Sequence, residues 1–334
     1  MPSFEDLPDG YEDMEISTQI IIRDALARGI SVDVIDRSEN FIRLTKGSHS
    51  EFIKEASKTR LDSLMTYLVM ENKVVSKLVL GESGVRVPFG RNYESIKYAL
   101  SDYNHFKHVK KVIKPTTTNF GLGIGISQPN DDINIYEKHL NHAFSYSGSV
   151  IVEEFIEGPE YRFLVLGGEV VAVCNRVPAN VLGDGENTIE TLVHQKNKDP
   201  RRGEGHKTAL EKIQMTEIEK SILNEQGMDF DSIPKKGQTV FLRKNSNIST
   251  GGDSLDVTDL VHPEFKTIAI MSAATAEAKI CGIDIISSGI SEKPDPKTYA
   301  ILEINFNPVL YIHEFPYSGT KRRVGEKILN LLGF

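Results

Sequence analysis

Asp284 and Glu303, with Asn305 two residues further on, are oxygen-bearing side chains set into two apolar runs, Ile280-Cys-Gly-Ile-Asp-Ile-Ile286 and Ala300-Ile-Leu-Glu-Ile304. Between the runs lies the turn-rich stretch Ser288-Gly-Ile-Ser-Glu-Lys-Pro-Asp-Pro296, a pattern that predicts a β-hairpin. With the turn centred near Lys293 and Pro294, Asp284 falls across from Glu303. Glu303 and Asn305 then share a face, because strand side chains alternate. Hard oxygen ligands gathered in apolar strands need a compensating charge, and Mg²⁺ held by side chains together with phosphates supplies one. The competing reading is a surface hairpin with a polar outer face, but buried carboxylates are rare unless paired or metal-bound.

Two upstream segments carry chemistry of a matching kind. In Lys114-Pro-Thr-Thr-Thr-Asn-Phe-Gly-Leu-Gly-Ile-Gly125 a strand-end lysine leads into three glycines that let backbone N–H groups approach an anion, with Asn119, Gly121 and Gly123 as the candidate phosphate-side residues. The spacing is neither a Walker A motif nor a Rossmann fingerprint, and a tight left-handed turn would need the same glycines. In Ile151-Val-Glu-Glu-Phe-Ile-Glu-Gly-Pro-Glu-Tyr161 a strand ends in two carboxylates, crosses a Gly-Pro turn and meets Glu160. Backbone groups around Glu154 and Ile156 could pair an adenine edge, and Glu160 could accept both ribose hydroxyls. An acidic strand end is the plainer alternative, though it would not require Phe155 and Ile156 between the charges. Lys73 and Lys77 stand one helical turn apart, where a solvated face is the commoner fate of lysine.

The elements that must position these residues can be read from periodicity. Met14 to Ala27 has helical spacing, and Ile30 to Ile35 alternates as a strand does. Asn72 should cap a helix carrying an apolar stripe of Val74, Val75, Leu78 and Val79, ended by Gly84, and Asn92 should cap the next helix. Val109 to Pro115 reads as a strand, Ile133 to Tyr146 as a helix, and Ser149 to Ile156 as a strand. Tyr161 to Cys174 forms a hairpin turning on Gly167-Gly168. Residues 183 to 233 are a polar excursion, after which Thr239 to Leu242 returns to an apolar pattern. A helix over 263 to 278 precedes the terminal hairpin, and a last helix closes the chain.

Composition narrows the classes. The chain has 334 residues, 39% hydrophobic and 26% charged, enough for two or three packed domains without disordered bias. A formal charge of −8 argues against a general nucleic-acid binder, whereas a nucleotide in a local pocket remains compatible. Cys174 and Cys281 sit in apolar runs and make neither a disulfide framework nor a zinc spacing. The nine histidines form no His-Glu-x-x-His pattern. The acidic start lacks a signal peptide's basic and apolar regions and no apolar run reaches spanning length, so no membrane association and a cytoplasmic location are expected.

The order of Asn72-Lys73, Lys114 before a glycine-rich loop, the Glu-Glu-Phe-Ile-Glu-Gly-Pro-Glu hinge and terminal Asp284, Glu303 and Asn305 resembles the ATP-grasp ligases over nearly the whole chain. Ile16-Ser-Thr-Gln19, Arg176-Val-Pro-Ala-Asn180, Gly183-Asp-Gly185, Asp199-Pro200, Asn245-Ser-Asn-Ile-Ser-Thr-Gly-Gly-Asp-Ser254 and Glu303-Ile-Asn-Phe-Asn-Pro308 are more closely similar to the C-terminal glutathione synthetase module of bifunctional glutamate-cysteine ligase/glutathione synthetases. Cyanophycin synthetase is a more distant likeness.

The resemblance implies an α/β ATP-grasp fold in which two α+β subdomains clasp ATP: an αβ region over 1–70, then a grasp domain over 71–334 with a lid subdomain at about 85–155 and a metal-binding subdomain at about 156–334. It implies that Lys73 and Lys114 contact nucleotide phosphates, that Glu153, Glu154 and Ile156 frame the adenine, and that Glu160 holds the ribose. Asp284, Glu303 and Asn305 would hold Mg²⁺, two ions, with Mn²⁺ as a substitute. Arg243, four residues before Asn247 and beside the Ser249-Thr-Gly-Gly252 loop, is a candidate to steady an acyl phosphate, and a surface arginine closing a strand is its alternative. His313 and Arg322-Arg323 are candidates for contact with the acyl donor. The implied reaction joins γ-glutamylcysteine to glycine. A related ligase with another acyl donor and amino acid, or a nucleotide-binding regulator without turnover, are the other readings. Partners would be small amino-acid or dipeptide substrates, and a homodimer is one assembly the reading allows. Since the family module normally follows a glutamate-cysteine ligase and this chain starts almost where the module does, it is not expected to make γ-glutamylcysteine itself.

Overall fold

The structure, a computed structural model, describes residues 7–118, 122–205 and 207–334. The chain opens with helix α1 (Ile16–Ala27), where the Glu15 carboxylate caps the N-terminus by accepting from Thr18 N–H, and then runs through a three-stranded antiparallel meander, β1 (Ser31–Asp36), β2 (Phe41–Lys46) and β3 (His49–Lys54). Only the first of these strands is announced by the sequence reading. In β2 and β3 the apolar positions are few and interleaved with charges, and Ile42, Leu44 and Ile53 supply the apolar part of a buried face that also holds Glu51.

Two helices follow end to end, α2 (Leu64–Glu71) and α3 (Lys73–Glu82). Asn72 caps α3 as expected, accepting from the N–H groups of Val74 and Val75. The apolar stripe on α3 does not face a core, however: Val74, Val75 and Leu78 are exposed, and Ser76 and Leu80 are the buried residues.

A small α+β unit comes next: β4 (Gly90–Tyr93), α4 (Ile96–Ser101), α5 (Tyr103–Phe106), β5 (Lys111–Pro115), β6 (Gly125–Ser127), α6 (Ile133–Phe144) and β7 (Val150–Glu154). Its antiparallel sheet runs β4-β7-β5-β6, over a core of Tyr93, Phe106, Ile113, Tyr136, Leu140, Val150 and Val152. Asn92 lies within β4 and caps nothing; Ser95, three residues on, accepts from Tyr98 N–H at the start of α4.

The central sheet begins with β8 (Glu160–Leu166) and β9 (Glu169–Val177), joined at Gly167 and Gly168, whose φ angles of 60° and 87° are what a two-residue hairpin turn demands. The polar excursion then folds as β10 (Asn180–Leu182), α7 (Ile189–Lys196), β11 (Arg202–Gly203), β12 (Leu210–Glu211), α8 (Glu217–Glu225) and β13 (Thr239–Phe241), around a core that includes Val181, Ile189, Val193, Leu223, Val240 and Leu242. The chain rejoins the sheet with β14 (Asp253–Asp256), α9 (Pro263–Thr275), β15 (Ile280–Ser287) and β16 (Tyr299–Asn305), and finishes with α10 (Tyr311–Glu314) and α11 (Val324–Leu331). The sheet order is β14-β9-β8-β15-β16, antiparallel throughout.

Helix α9 covers one face of this sheet, burying Phe265, Ala269 and Ala273 against Phe163, Val173 and Ile283. On the other face the apolar half, Leu164, Leu166, Ala172 and Ile280, packs into one core with α1, α11 and the meander. The N-terminal region therefore shares its interior with the C-terminal helix. The remaining half of that face is polar. Cys174 and Cys281 are buried free thiols, as their setting in apolar strands leads one to expect. Among the described residues no helix is long and apolar enough to cross a membrane.

Candidate active site

The polar half of the sheet face forms the floor of a cleft of about 1260 Å³. Its walls come from α3 and the preceding Asn72, from Thr116, Thr117 and Ser149 of the small unit, and from Glu15, Asn40 and Glu55 of the N-terminal region. On the floor lie Arg162, Arg176, Asn247, Glu303 and Asn305.

The terminal hairpin pairs as its sequence predicts, with Asp284 opposite Glu303 and Gly282 opposite Asn305. The register shifts just after Asp284, so that Ile285 faces Ile301, and such a bulge re-aims side chains at the end of a ladder. Burial pushes the Asp284 carboxyl upward, but Arg162 and Arg176 outweigh it and hold the group below the usual carboxylate range. Arg162 grips both carboxylate oxygens, Nη2 donating at 3.0 Å. Arg176 Nη2 donates to Oδ2 at 2.8 Å, and Asn305 Nδ2 approaches the same oxygen at 3.4 Å. Gly282 makes room for this arrangement, since a Cβ there would lie 2.9 Å from Arg162 Cδ. Glu303 is driven the other way, upward, by its own burial and by the neighbouring Asp284. Two carboxylates forced together with an amide oxygen donor are a hard-ligand set that suits a divalent cation. Among the described residues no group of three or more His, Cys, Asp or Glu side chains gathers as a metal cage, so the candidate set is two acids and an asparagine.

A second charged cluster joins α3 to the small unit. Lys77 and Lys114 each donate to one oxygen of Glu153, whose side chain is only 2% exposed. Burial pushes Lys77 down to about 8, aided by Lys114 and opposed by Glu153. Lys114, largely desolvated, is nonetheless held above its ordinary value by Glu153, and Glu153 is held low by the two lysines in spite of its own burial. Lys73 lines the cleft, donates to the Thr118 carbonyl at 3.0 Å and is pushed down by burial. Lys73 and Lys77 are thus not a solvated face.

Several expected site residues have other partners. Both Glu153 oxygens are taken by lysines, which removes this carboxylate from an adenine-reading role. Glu154 accepts from Arg86 Nη2 at 2.5 Å and from Phe89 N–H at 2.7 Å. Ile156 is half-buried in the turn after β7, and Glu160 is engaged by Arg176 and by the Ser246 hydroxyl. None of these four, nor Lys114 or Asp284, is on the cleft wall. Gly123 has φ 76° and a Cβ there would meet Pro115 Cγ at 2.6 Å, so backbone conformation and close packing both demand glycine. Asn119 and Gly121 lie outside the described residues.

The largest departure is Arg243. It donates to the fully buried Glu219 at 2.5 Å, within the excursion, and does not line the cleft. The arginines on the floor are Arg162 and Arg176 instead. Their signal in the sequence is a charge at an inward position of an otherwise apolar strand, as in Tyr161-Arg-Phe-Leu-Val-Leu166. His313 is buried beneath the floor, with no hydrogen-bond partner for either ring nitrogen among the described residues, and Arg322 holds Asp256 and Asp259, so neither lines the cleft as expected for contact with the acyl donor.

Known proteins resemble this chain over almost all of its length. An ATP-grasp-like domain model matches residues 12–65, the stretch of α1 and the meander. The glutathione biosynthesis bifunctional protein GshAB of Clostridium perfringens is 53% identical over 323 residues, 97% of this chain and 42% of that protein. The corresponding protein of Enterococcus faecalis is 43% identical over 325 residues, again 97% of this chain and 43% of the relative. The crystal structure of a bifunctional glutathione synthetase from Pasteurella multocida superposes with a TM-score of 0.80 at 42% identity, covering 97% of this chain and 45% of that one. The chain therefore spans less than half the length of the curated relatives it matches.

Proposed function

Because this chain belongs to the ATP-grasp proteins, we propose that it is an ATP-dependent carboxylate–amine ligase that joins γ-glutamylcysteine to glycine. The observation that carries the reading is the convergence of Lys73, Arg162, Arg176, Glu303 and Asn305 on one cleft, cations for phosphate beside oxygen ligands for a metal. Phosphoryl transfer asks a protein chiefly for positioning and for neutralising spread-out negative charge, which is what this residue set offers.

An oxygen of the substrate's glycyl-accepting carboxylate attacks the γ-phosphorus of ATP, the bond to the β,γ-bridging oxygen breaks, and ADP leaves. The neutral glycine amine then attacks the acyl carbon, phosphate departs with one former carboxylate oxygen, and the nitrogen gives up one proton to solvent and keeps the other as the amide N–H. Lys73 and Lys114 bind the phosphates. Backbone groups at Glu154 and Ile156 frame the adenine, and Glu160 takes the ribose. Asp284, Glu303 and Asn305 would hold Mg²⁺, which would supply neutralisation of phosphate charge. Arg162 and Arg176 on the floor steady the acyl phosphate, since arginine matches phosphate oxygens in bidentate fashion. Asn247, beside them, donates to the tetrahedral intermediate.

The test is product formation. With γ-glutamylcysteine, glycine and Mg-ATP, mass spectrometry should find glutathione, with ADP and phosphate released one for one. ADP release with other amino acid or dipeptide pairs, and none with γ-glutamylcysteine, would keep the ligase class and remove the substrate assignment.

A further inference from the structure

Glu153 is enclosed with unusual care for a strand-end acid. It stands on β7 opposite Gly90 of β4, where a Cβ would fall 2.5 Å from its own Cβ, so the neighbouring strand closes over it only because residue 90 is glycine. Its two oxygens are divided between a lysine from helix α3 and a lysine from strand β5. An ammonium group carries three donors, yet among the described residues Glu153 is the sole acceptor of either lysine. Two cations share one carboxylate, and a 1:1 pair would have been easier to bury. The cost of that excess is visible in Lys77, which burial and Lys114 hold down to about 8.

We propose that Lys77 is a positioning residue for the nucleotide: by taking half of Glu153 it prevents that carboxylate from neutralising Lys114, and so keeps an excess positive charge at the phosphate end of the site. The proposal deepens the ATP-dependent reading and rests on it. Lys77 does not line the cleft and acts through Glu153, on a cluster close enough to influence the charge of Lys73, which does. Spare donors and spare charge in a desolvated place are offset when a polyphosphate arrives.

Nucleotide affinity measured by calorimetry, without turnover, tests this. Lys77→Met should weaken ATP binding by about tenfold or more while the KM values for the dipeptide and glycine stay within about threefold. Lys77→Arg should restore binding. The decisive variant is the double change Lys77→Met with Glu153→Gln, which returns the cluster to its original charge and should recover affinity; a purely structural lysine would not be rescued by damaging its partner. Should Lys77→Met fail to fold, Glu153→Gln alone should tighten ATP binding, and unchanged or weaker binding would overturn the proposal. Wild-type affinity retained in Lys77→Met, or a double variant as weak as the single one, would overturn it as well. A wild-type protein that binds no ATP would bring down the functional reading, and this inference with it.

Discussion

Two buried clusters in this molecule have the same charge count and opposite degrees of satisfaction. Where the excursion meets β14, Asp253 is shared by Lys196 and Arg202, as Glu153 is shared by Lys77 and Lys114. Lys196 places its donors on Asp253 at 2.6 Å and on the carbonyl and side-chain oxygens of Asn180 at 2.9 and 3.2 Å. Arg202 adds the carbonyls of Glu211 and Gly251 at 2.7 and 3.1 Å. The surplus cation there is met by carbonyl dipoles, although Arg202 Nε has no partner among the described residues, and the cluster clips the excursion to β14. At Glu153 no carbonyl does this for Lys77 or Lys114 among the described residues. Charge count alone does not separate a clip from a site; the fate of the remaining N–H groups does.

The site carries a further contrast within itself. Among the described residues Asp284 is claimed by two buried arginines and Glu303 by none within bonding distance. Glu303→Gln should therefore abolish turnover, by about 10²–10³-fold or more, with little change in thermal unfolding. Asp284→Ala should lose turnover too, but should also cost about 3–5 kcal/mol of stability by leaving Arg162 without its acid and Arg176 with Glu160 alone. Equal stability of the two variants would erase the distinction.

The clip should give the reverse signature. Asp253→Ala strands Lys196 and Arg202 and is expected to cost about 3–5 kcal/mol in denaturant unfolding, while ATP affinity at permissive temperature stays near wild type. A selective loss of ATP affinity, with stability intact, would show that the two clusters are alike.

A pH-dependent effect concerns His313, beneath the floor. Burial pushes its imidazole down to about 3, with Arg162 adding to the effect, and neither ring nitrogen has a partner among the described residues. Between about 3 and 6.5 the unfolded chain carries a proton there that the folded one does not, so stability should fall on acidification by up to about 1.4 kcal/mol per pH unit. His313→Phe should flatten that slope. An unchanged acid limb would mean that His313 is protonated, or reached by solvent, in the folded protein.

Much of the site can be read along the chain because its parts are local. Asp284 faces Glu303 through one hairpin, and alternation plus a turn-rich linker suffices to set that register. Asn72 caps α3 through its nearest neighbours. Arg162 and Arg176 become meaningful only when β8, β9 and β15 pair, and those contacts bridge more than a hundred residues. Helix α3 misleads for a physical reason: amphipathicity assumes an apolar interior, whereas this helix turns Lys73 to a polar cleft and Lys77 onto the buried Glu153, and leaves Val74, Val75 and Leu78 exposed, the two valines on the cleft wall. Arg243 stands close to the Asn245–Gly252 loop in sequence, but the excursion has a core of its own and Glu219 within it claims the guanidinium.

The measurement that reaches the central claim most directly follows the oxygen. With ¹⁸O in the reacting carboxylate of γ-glutamylcysteine, glycine and Mg-ATP, phosphate released in step with glutathione should carry one labelled oxygen per turnover, because the acyl phosphate forms by carboxylate attack on the γ-phosphate. Unlabelled phosphate accompanying product, or ADP formed at the same rate without the dipeptide, would contradict the account.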